Sequence, residues 1–116
     1  MSMKMSDETV SLLQKKYYYL TNFESTDPNA PIDPLSYRDA GGDNLMIIAA
    51  QLGDLETIRL LVNAGMGVSE QGEMGYTALH YAYKRKHAEV VDFLLAHGAS
   101  TTIENDFGKL PGEYAG

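Results

Sequence analysis

Residues 75–98 read GYTALHYAYKRKHAEVVDFLLAHG, and the pattern inside that stretch decides the fold. Thr77 offers a hydroxyl where a helix N-cap needs one, and Leu79, Ala82 and Tyr83 follow at helical spacing. Beyond His87, the residues Val90, Val91, Phe93, Leu94 and Leu95 form a wide apolar stripe that Gly98 ends. The stretch therefore reads as two short helices joined by a tight bend. Displaced by 33 residues, Gly65 falls on Gly98, Leu61 on Leu94, Ile58 on Val91, Glu56 on Glu89, Ala49 on Ala82 and Gly42 on Gly75. The opposite displacement brings Gly108 onto Gly75, Pro111 onto Ala78 and Ala115 onto Ala82. A constant period carrying a turn and two helices marks an array whose units bury their apolar faces only by stacking.

These residues resemble the ankyrin repeat, a turn followed by T-P-L-H-x-A and then G-H-x-x-V-V-x-x-L-L-x-x-G-A. The central copy keeps Thr77, Leu79, His80, Ala82, His87, Val90, Val91, Leu94, Leu95, Gly98 and Ala99. It departs at Ala78, where the pattern has Pro, and at Lys86, where it has Gly. In the first copy Asn44-Leu45-Met46-Ile47 replaces T-P-L-H, while Ala49, Ala50, Gly53, Glu56, Leu60, Leu61 and Gly65 keep the frame. The last copy begins at Asn105 and stops inside its first helix, with Gly112 in place of Leu, so that helix is expected to be short. The fold class implied is all-α, an ankyrin-repeat solenoid of two full repeats and a partial third with an N-terminal capping helix. The chain then divides into a cap helix over 6–20, an acidic Pro-containing loop over 21–38, repeats over 39–71 and 72–104, and a partial repeat over 105–116.

With 116 residues the chain is large enough for one modest core. It has no cysteine, which removes disulfides and thiolate metal sites. No apolar run approaches a membrane span, and residues 1–19 lack the pattern of a signal peptide, so a cytoplasmic location is expected. The net charge of −7 argues against nucleic acid and anionic membrane as ligands, and favours a basic protein if charge steers anything. Acidity that merely keeps a small protein soluble is the competing explanation.

Residues 1–5 are expected to fray, and Ser6-Asp7-Glu8 to start a helix. Val10, Leu13, Tyr17 and Leu20 place one apolar face along it as far as Leu20. It lies outside the 33-residue period and is expected to cover the first repeat, whose Met46, Ile47 and Ile48 are unusually apolar. Of Tyr17-Tyr18-Tyr19, Tyr17 should point inward and at least one of the others outward. Pro28, Pro31 and Pro34 break any helix over 21–38, which reads as solvated linker, with Glu24, Asp27 and Asp33 as a competing surface for binding.

Chemistry finds little purchase. His80, His87 and His97 are the candidates for a metal or catalytic site, but the bend separates the first two and no nucleophile stands beside a base. The glycines follow no strand, so a phosphate-cradling loop is unsupported. The reading is a non-enzyme without metal or cofactor. The resemblance gives His80 a structural role, hydrogen bonding to the neighbouring turn.

What the resemblance implies instead is protein binding through turn tips and the exposed face of each first helix. Carried over, the tips supply Ala40, Gly41 and Asp43, then Glu73, Met74 and Tyr76, then Asp106, Phe107 and Lys109. The helix face supplies Gln51 and Leu52, then Tyr81, Lys84 and Arg85, with Glu70, Gln71 and Glu104 flanking the tips. Exposed Met and aromatic residues suit an interface. The competing reading folds Met74 onto Tyr76 and Phe107 onto Tyr114 or Leu110. Small acidic ankyrin-like chains also resemble the immunity proteins with which bacteria neutralise their own toxins, often basic nucleases. That likeness implies a monomeric inhibitor that occludes a basic cleft; the alternative is a regulatory adaptor, which needs two separable surfaces.

Overall fold

Most of the helices start where a short polar side chain takes up a free backbone amide. Ser6, Asn44, Asp54 and Thr77 each accept from the N–H three residues on. They begin α1 (Asp7–Lys16), α2 (Leu45–Leu52), α3 (Leu55–Asn63) and α4 (Ala78–Lys84). The last helix, α5 (Ala88–Ala96), follows His87 without a side-chain cap, and a 3-10 turn, Pro111–Tyr114, stands where a third inner helix would lie. The computed structural model describes residues 3–23, 25–27 and 29–116. Met1, Ser2, Glu24 and Pro28, all part of the expectations above, lie outside the described residues. Among those described, the only strand-like pairing is a single bridge between Arg38 and Asn44, so the chain is all-helical.

The helices form two rows. In the inner row α2 packs on α4, and α4 on the Pro111–Tyr114 turn; in the outer row α3 packs on α5. Within each repeat the two helices close on one another, α2 on α3 and α4 on α5. Leu45, Met46, Ile58, Leu61, Leu79, Val90 and Leu94 are almost wholly removed from water and form the core between the rows.

The turn tips fix the stacking. At the first and third tips a side chain satisfies the turn itself: Asp39 Oδ1 accepts from Gly41 and Asp43 N–H at 3.0 and 2.8 Å. Asn105 Oδ1 accepts from Phe107 and Lys109 N–H, both at 3.0 Å. The second tip has Gly72 at that position and no side chain to offer. Here Asp43 of the preceding repeat reaches across instead, its Oδ1 taking the Glu73 N–H at 2.9 Å. A Cβ on Gly72 would lie 2.2 Å from that oxygen and 2.9 Å from Ile47 Cδ1, so the residue's emptiness is what lets the tips approach. The third tip joins through Asp106 N–H to Met74 O at 2.9 Å.

At the other end, α1 runs antiparallel to α3. Lys4 N–H donates to Ala64 O beyond the end of α3, while Tyr17 Oη and Lys16 Nζ reach Asp54, the α3 N-cap, at 2.6 and 2.9 Å. Burial pushes the Asp54 carboxyl up, but hydrogen bonds from Thr57, Tyr17 and Lys16 outweigh it and hold it below the usual carboxylate range. Tyr17 is buried and Tyr18 and Tyr19 are exposed, so the tyrosine run splits as its register requires.

Four expectations are corrected. The helix ends at Lys16 rather than near Leu20, because Tyr17 leaves helical geometry to reach Asp54. The start of the chain is held at Lys4 instead of fraying there. The 21–38 segment is not simply solvated: Ile32, Pro34 and Tyr37 are buried, and Gln14 Nε2 donates to Ile32 O at 2.9 Å. The cap is thus a helix plus a folded loop. Finally, Ile47 does not face the cap alone, since its side chain reaches forward to Gly72 of the next repeat.

Two substitutions test this account by thermal or denaturant unfolding. Gly72→Ala should cost about 1–3 kcal/mol, the usual penalty for overpacking. Lys86 sits at φ 60°, where the first repeat has Gly53 at φ 72°. Lys86→Gly should therefore stabilise by about 0.5–1 kcal/mol, the left-handed strain relieved less the added chain entropy.

Candidate functional site

The inner face of the array carries the residues expected to meet a partner, but the structure divides them. Met74 and Phe107 stand at successive tips with 53 % and 60 % of their surface exposed. Glu73 and Asp106 are exposed beside them, with the Glu73 carboxylate lying over Gly41 of the first tip. Lys84, Arg85 and Lys109 are exposed, as is Leu52 at the end of α2. Tyr81 is half-buried on α4.

Tyr76 does not stand free. It is 7 % exposed, its ring stacks on Tyr81 at 4.9 Å between centroids, and its hydroxyl lies 3.1 Å from that of Tyr114. The expectation that a tip leaves Tyr76 no core to fill is corrected: the half repeat supplies one. The Tyr114 hydroxyl, with burial adding, pushes the Tyr76 phenol up to about 12. Asp43 is likewise buried, and burial pushes its carboxyl up against the opposing bonds from Glu73 N–H and Gln51. Gln51 is half-buried and donates to Asp43 Oδ2 at 3.2 Å, so both residues serve the stacking. Arg38 pairs with Glu70 at 2.6 Å, and Gln71 Nε2 donates to Gly75 O and Glu104 O. These flanking residues hold the tips in place.

Tyr114 is the member of this cluster that the sequence reading left out of the site. It stands 33 residues beyond Tyr81, so the repeat spacing carried the signal. Lys84 Nζ lies over the rings of Tyr76 and Tyr114 at 5.1 and 5.7 Å, and Phe107 meets Tyr76 edge-on at 6.3 Å. The result is an aromatic floor, Tyr76, Tyr81 and Tyr114, with one ammonium fixed on it. Glu73 and Asp106 are exposed at the tips, and Arg85 and Lys86 follow Lys84 beyond the end of α4. Outside the repeats, Tyr18, Tyr19 and Phe23 are further exposed aromatics, Tyr18 with 82 % of its surface in water.

The histidines are committed to structure. Thr77 N–H donates to His80 Nδ1 at 3.1 Å, which places the ring proton on Nε2, where it donates to Lys109 O at 2.9 Å. His80 therefore caps its own helix and ties the third tip to the second repeat. His87 Nε2 lies 3.1 Å from Gln51 O, and His97 Nδ1 lies 2.8 Å from Phe93 O.

A sequence model of the family described as "Ankyrin repeats (3 copies)" matches residues 5–105 of this chain. The chain belongs to the ankyrin-repeat family. It is 44 % identical over 64 residues to ankyrin repeat domain-containing protein 40 of Mus musculus, covering 54 % of this chain and 18 % of that protein. It is 36 % identical over 86 residues to a putative ankyrin repeat-containing protein of Treponema pallidum, covering 74 % and 28 % respectively. With human protein phosphatase 1 regulatory subunit 27 it shares 34 % identity over 61 residues, 53 % of this chain and 40 % of that protein. The chain thus spans less than half the length of each of these relatives. Ankyrin repeats are in general a non-catalytic protein-interaction module. No helix among the described residues is long and apolar enough to cross a membrane.

The buried ankyrin histidine makes stability depend on pH with a definite sign. Burial lowers the His80 pKa below its ordinary 6.5. A group with a depressed folded pKa takes up its proton more readily when unfolded, so folding loses stability as pH falls from that value through the folded one. Protonation would also place a second donor against Thr77 N–H. The unfolding midpoint should therefore drop between pH 7.5 and 5.5, and His80→Gln should start lower and vary less over that range.

Proposed function

We propose that this chain binds another protein on the inner face, with Met74 and Phe107 as tip anchors and Tyr81 and Lys84 as the floor contacts. The observation that carries the reading is the pair of exposed apolar tips beside an aromatic floor. Aromatic and Met side chains contribute disproportionately to interface energy, while exposed rim charges act mainly on encounter rate and selectivity. Glu73 and Asp106 at the tips, with the net charge of −7, favour a basic segment of the partner there. Lys84 over the floor, with Arg85 next to it in sequence, favours a carboxylate of the partner there.

A sharper form of the same reading makes the chain an inhibitor that occludes a basic toxin such as a nuclease, and the −7 charge is its support. The other reading is a regulatory adaptor. It draws support from likeness to a protein named as a phosphatase regulatory subunit.

The test compares wild type with a Met74→Ala, Tyr81→Ala, Phe107→Ala variant as bait, after circular dichroism has shown both to be folded. Tyr76 and Asp43 are left intact because both are structural. A protein retained by wild type, lost by the variant and released by added salt supports the inner face; equal retention by both refutes it. Inhibition then predicts that the captured partner loses a measurable enzymatic activity on binding, while an adaptor leaves that activity in place and recruits a second protein.

A further inference from the structure

The three tips share one backbone framework. A hydrogen bond closes each turn, from Gly42 N–H to Asp39 O, Gly75 N–H to Gly72 O and Gly108 N–H to Asn105 O, at 3.0, 3.0 and 2.9 Å. Residues 41, 74 and 107 occupy the same place in it. Of these only Met74 has a positive φ, 55°, although the first tip has a glycine there. Positive φ at the second central residue alone is the type II pattern, whereas the other two tips, with neither central residue positive, follow type I. The two types differ by the turning over of one peptide plane, which in the second tip joins Glu73 to Met74.

The cause lies at residue 72. In the first and third tips Asp39 or Asn105 Oδ1 takes two amides, that of residue 41 or 107 and that of residue 43 or 109. The first of each pair belongs to the central peptide, so the side chain holds that peptide in the type I sense. Gly72 has no oxygen to do this, and Tyr76 N–H, the counterpart of Asp43 and Lys109 N–H, needs another acceptor. It donates to Glu73 O at 3.2 Å. That bond closes a turn whose central residues, Met74 and Gly75, stand at φ 55° and 76°, the type I′ pattern that requires both to be positive. Left-handed backbone at Met74 is therefore what satisfies the amide of buried Tyr76. The inversion leaves Met74 N–H without an acceptor among the described residues.

We propose that Gly72 is a positioning residue of the inner face: lacking the acceptor its counterparts carry, it inverts the second tip and sets the aim of Met74. The proposal rests on the inner-face reading above and adds to it what distinguishes the two anchors. Met74 and Phe107 hold equivalent positions but leave oppositely turned peptides, so their side chains project in different directions. The second tip offers a partner a thioether beside a free main-chain donor; at the third tip the Phe107 amide is already taken by Asn105. Met74 O also receives Asp106 N–H at 2.9 Å, so the inverted tip seats the next one. The partner that fits has an apolar pocket with a hydrogen-bond acceptor at its edge for Met74, and a purely apolar pocket for Phe107.

The test reads the free full chain. Met74 and, separately, Phe107 are replaced by glycine and by alanine, and the four variants are compared by denaturant unfolding. Glycine accepts a positive φ that alanine resists, so Met74→Gly should exceed Met74→Ala by about two- to fivefold in folding constant, while Phe107→Gly should fall below Phe107→Ala. By NMR, the Met74 amide should exchange with solvent faster than those of Gly41 and Phe107, and lie close to the Glu73 Hα as in a type II turn. The role of the residue-72 position is tested at the first tip, where no clash intervenes. Asp39→Ala should invert that turn, exposing the Gly41 amide to exchange and bringing it close to the Ala40 Hα, and Asp39→Asn should not. Met74→Ala as stable as Met74→Gly, or a first tip that keeps its turn in folded Asp39→Ala, would overturn the proposal. Either result would leave the inner-face reading standing, since no partner enters these measurements; equal retention in the bait experiment would strike that reading and leave the inversion.

Discussion

The carboxylate of Asp43 is the contact on which the array's register depends. It leaves its own turn to take the Glu73 amide of the next one, in a space that exists only because residue 72 lacks a side chain. The second tip has no aspartate or asparagine of its own at the turn position and cannot satisfy itself as its neighbours do. A buried carboxylate that accepts several donors is stable where an unpaired one would be expelled. It also holds the Glu73–Gly75 turn in the position from which Met74 projects.

The repeats differ in how they pass contact forward. In the second repeat His80 uses both ring nitrogens, one to cap α4 and one to hold Lys109 of the third tip. In the first repeat Ile47 stands at that register position and reaches forward by packing alone against Gly72. At that register position one junction has a directed hydrogen bond and the other an apolar contact, the hydrogen bond of the first junction coming instead from Asp43. The third tip therefore depends on an imidazole and on the Tyr76–Tyr114 pair, whereas the first junction depends on the Asp43 carboxylate and the close fit at Gly72.

Different elements flank the two full repeats. Against α4 packs the four-residue 3-10 turn Pro111–Tyr114, with Pro111 buried and Tyr114 half-buried. At the N-terminus a helix and a proline-bearing loop together bury Leu13, Tyr17, Ile32 and Tyr37. Because α1 is held against α3 in the opposite sense, that closure is incomplete. A cleft of about 420 Å³ lies between the two helices.

Everything periodic was written in the chain. The 33-residue recurrence of turn glycines, caps and leucines determined the two-row helical architecture, since each element needs only local signals and a neighbour like itself. Exposure of Met74 was the favoured reading of its tip position, whereas for Phe107 exposure and folding back onto Tyr114 or Leu110 stood level, and the same argument failed for Tyr76. What the period could not convey lay where the array departs from it. Whether Tyr76 meets water or a core depended on where Tyr114 lies in space. Whether the 21–38 segment is linker or cap depended on Ile32 and Tyr37 finding a surface far from them in sequence. The direction of α1 depended on Asp54, 37 residues beyond Tyr17, because a lone amphipathic helix satisfies its own hydrogen bonds equally well in either sense. Local amides and apolar spacing choose the element; only the partner surface across the core chooses its direction and what it leaves uncovered.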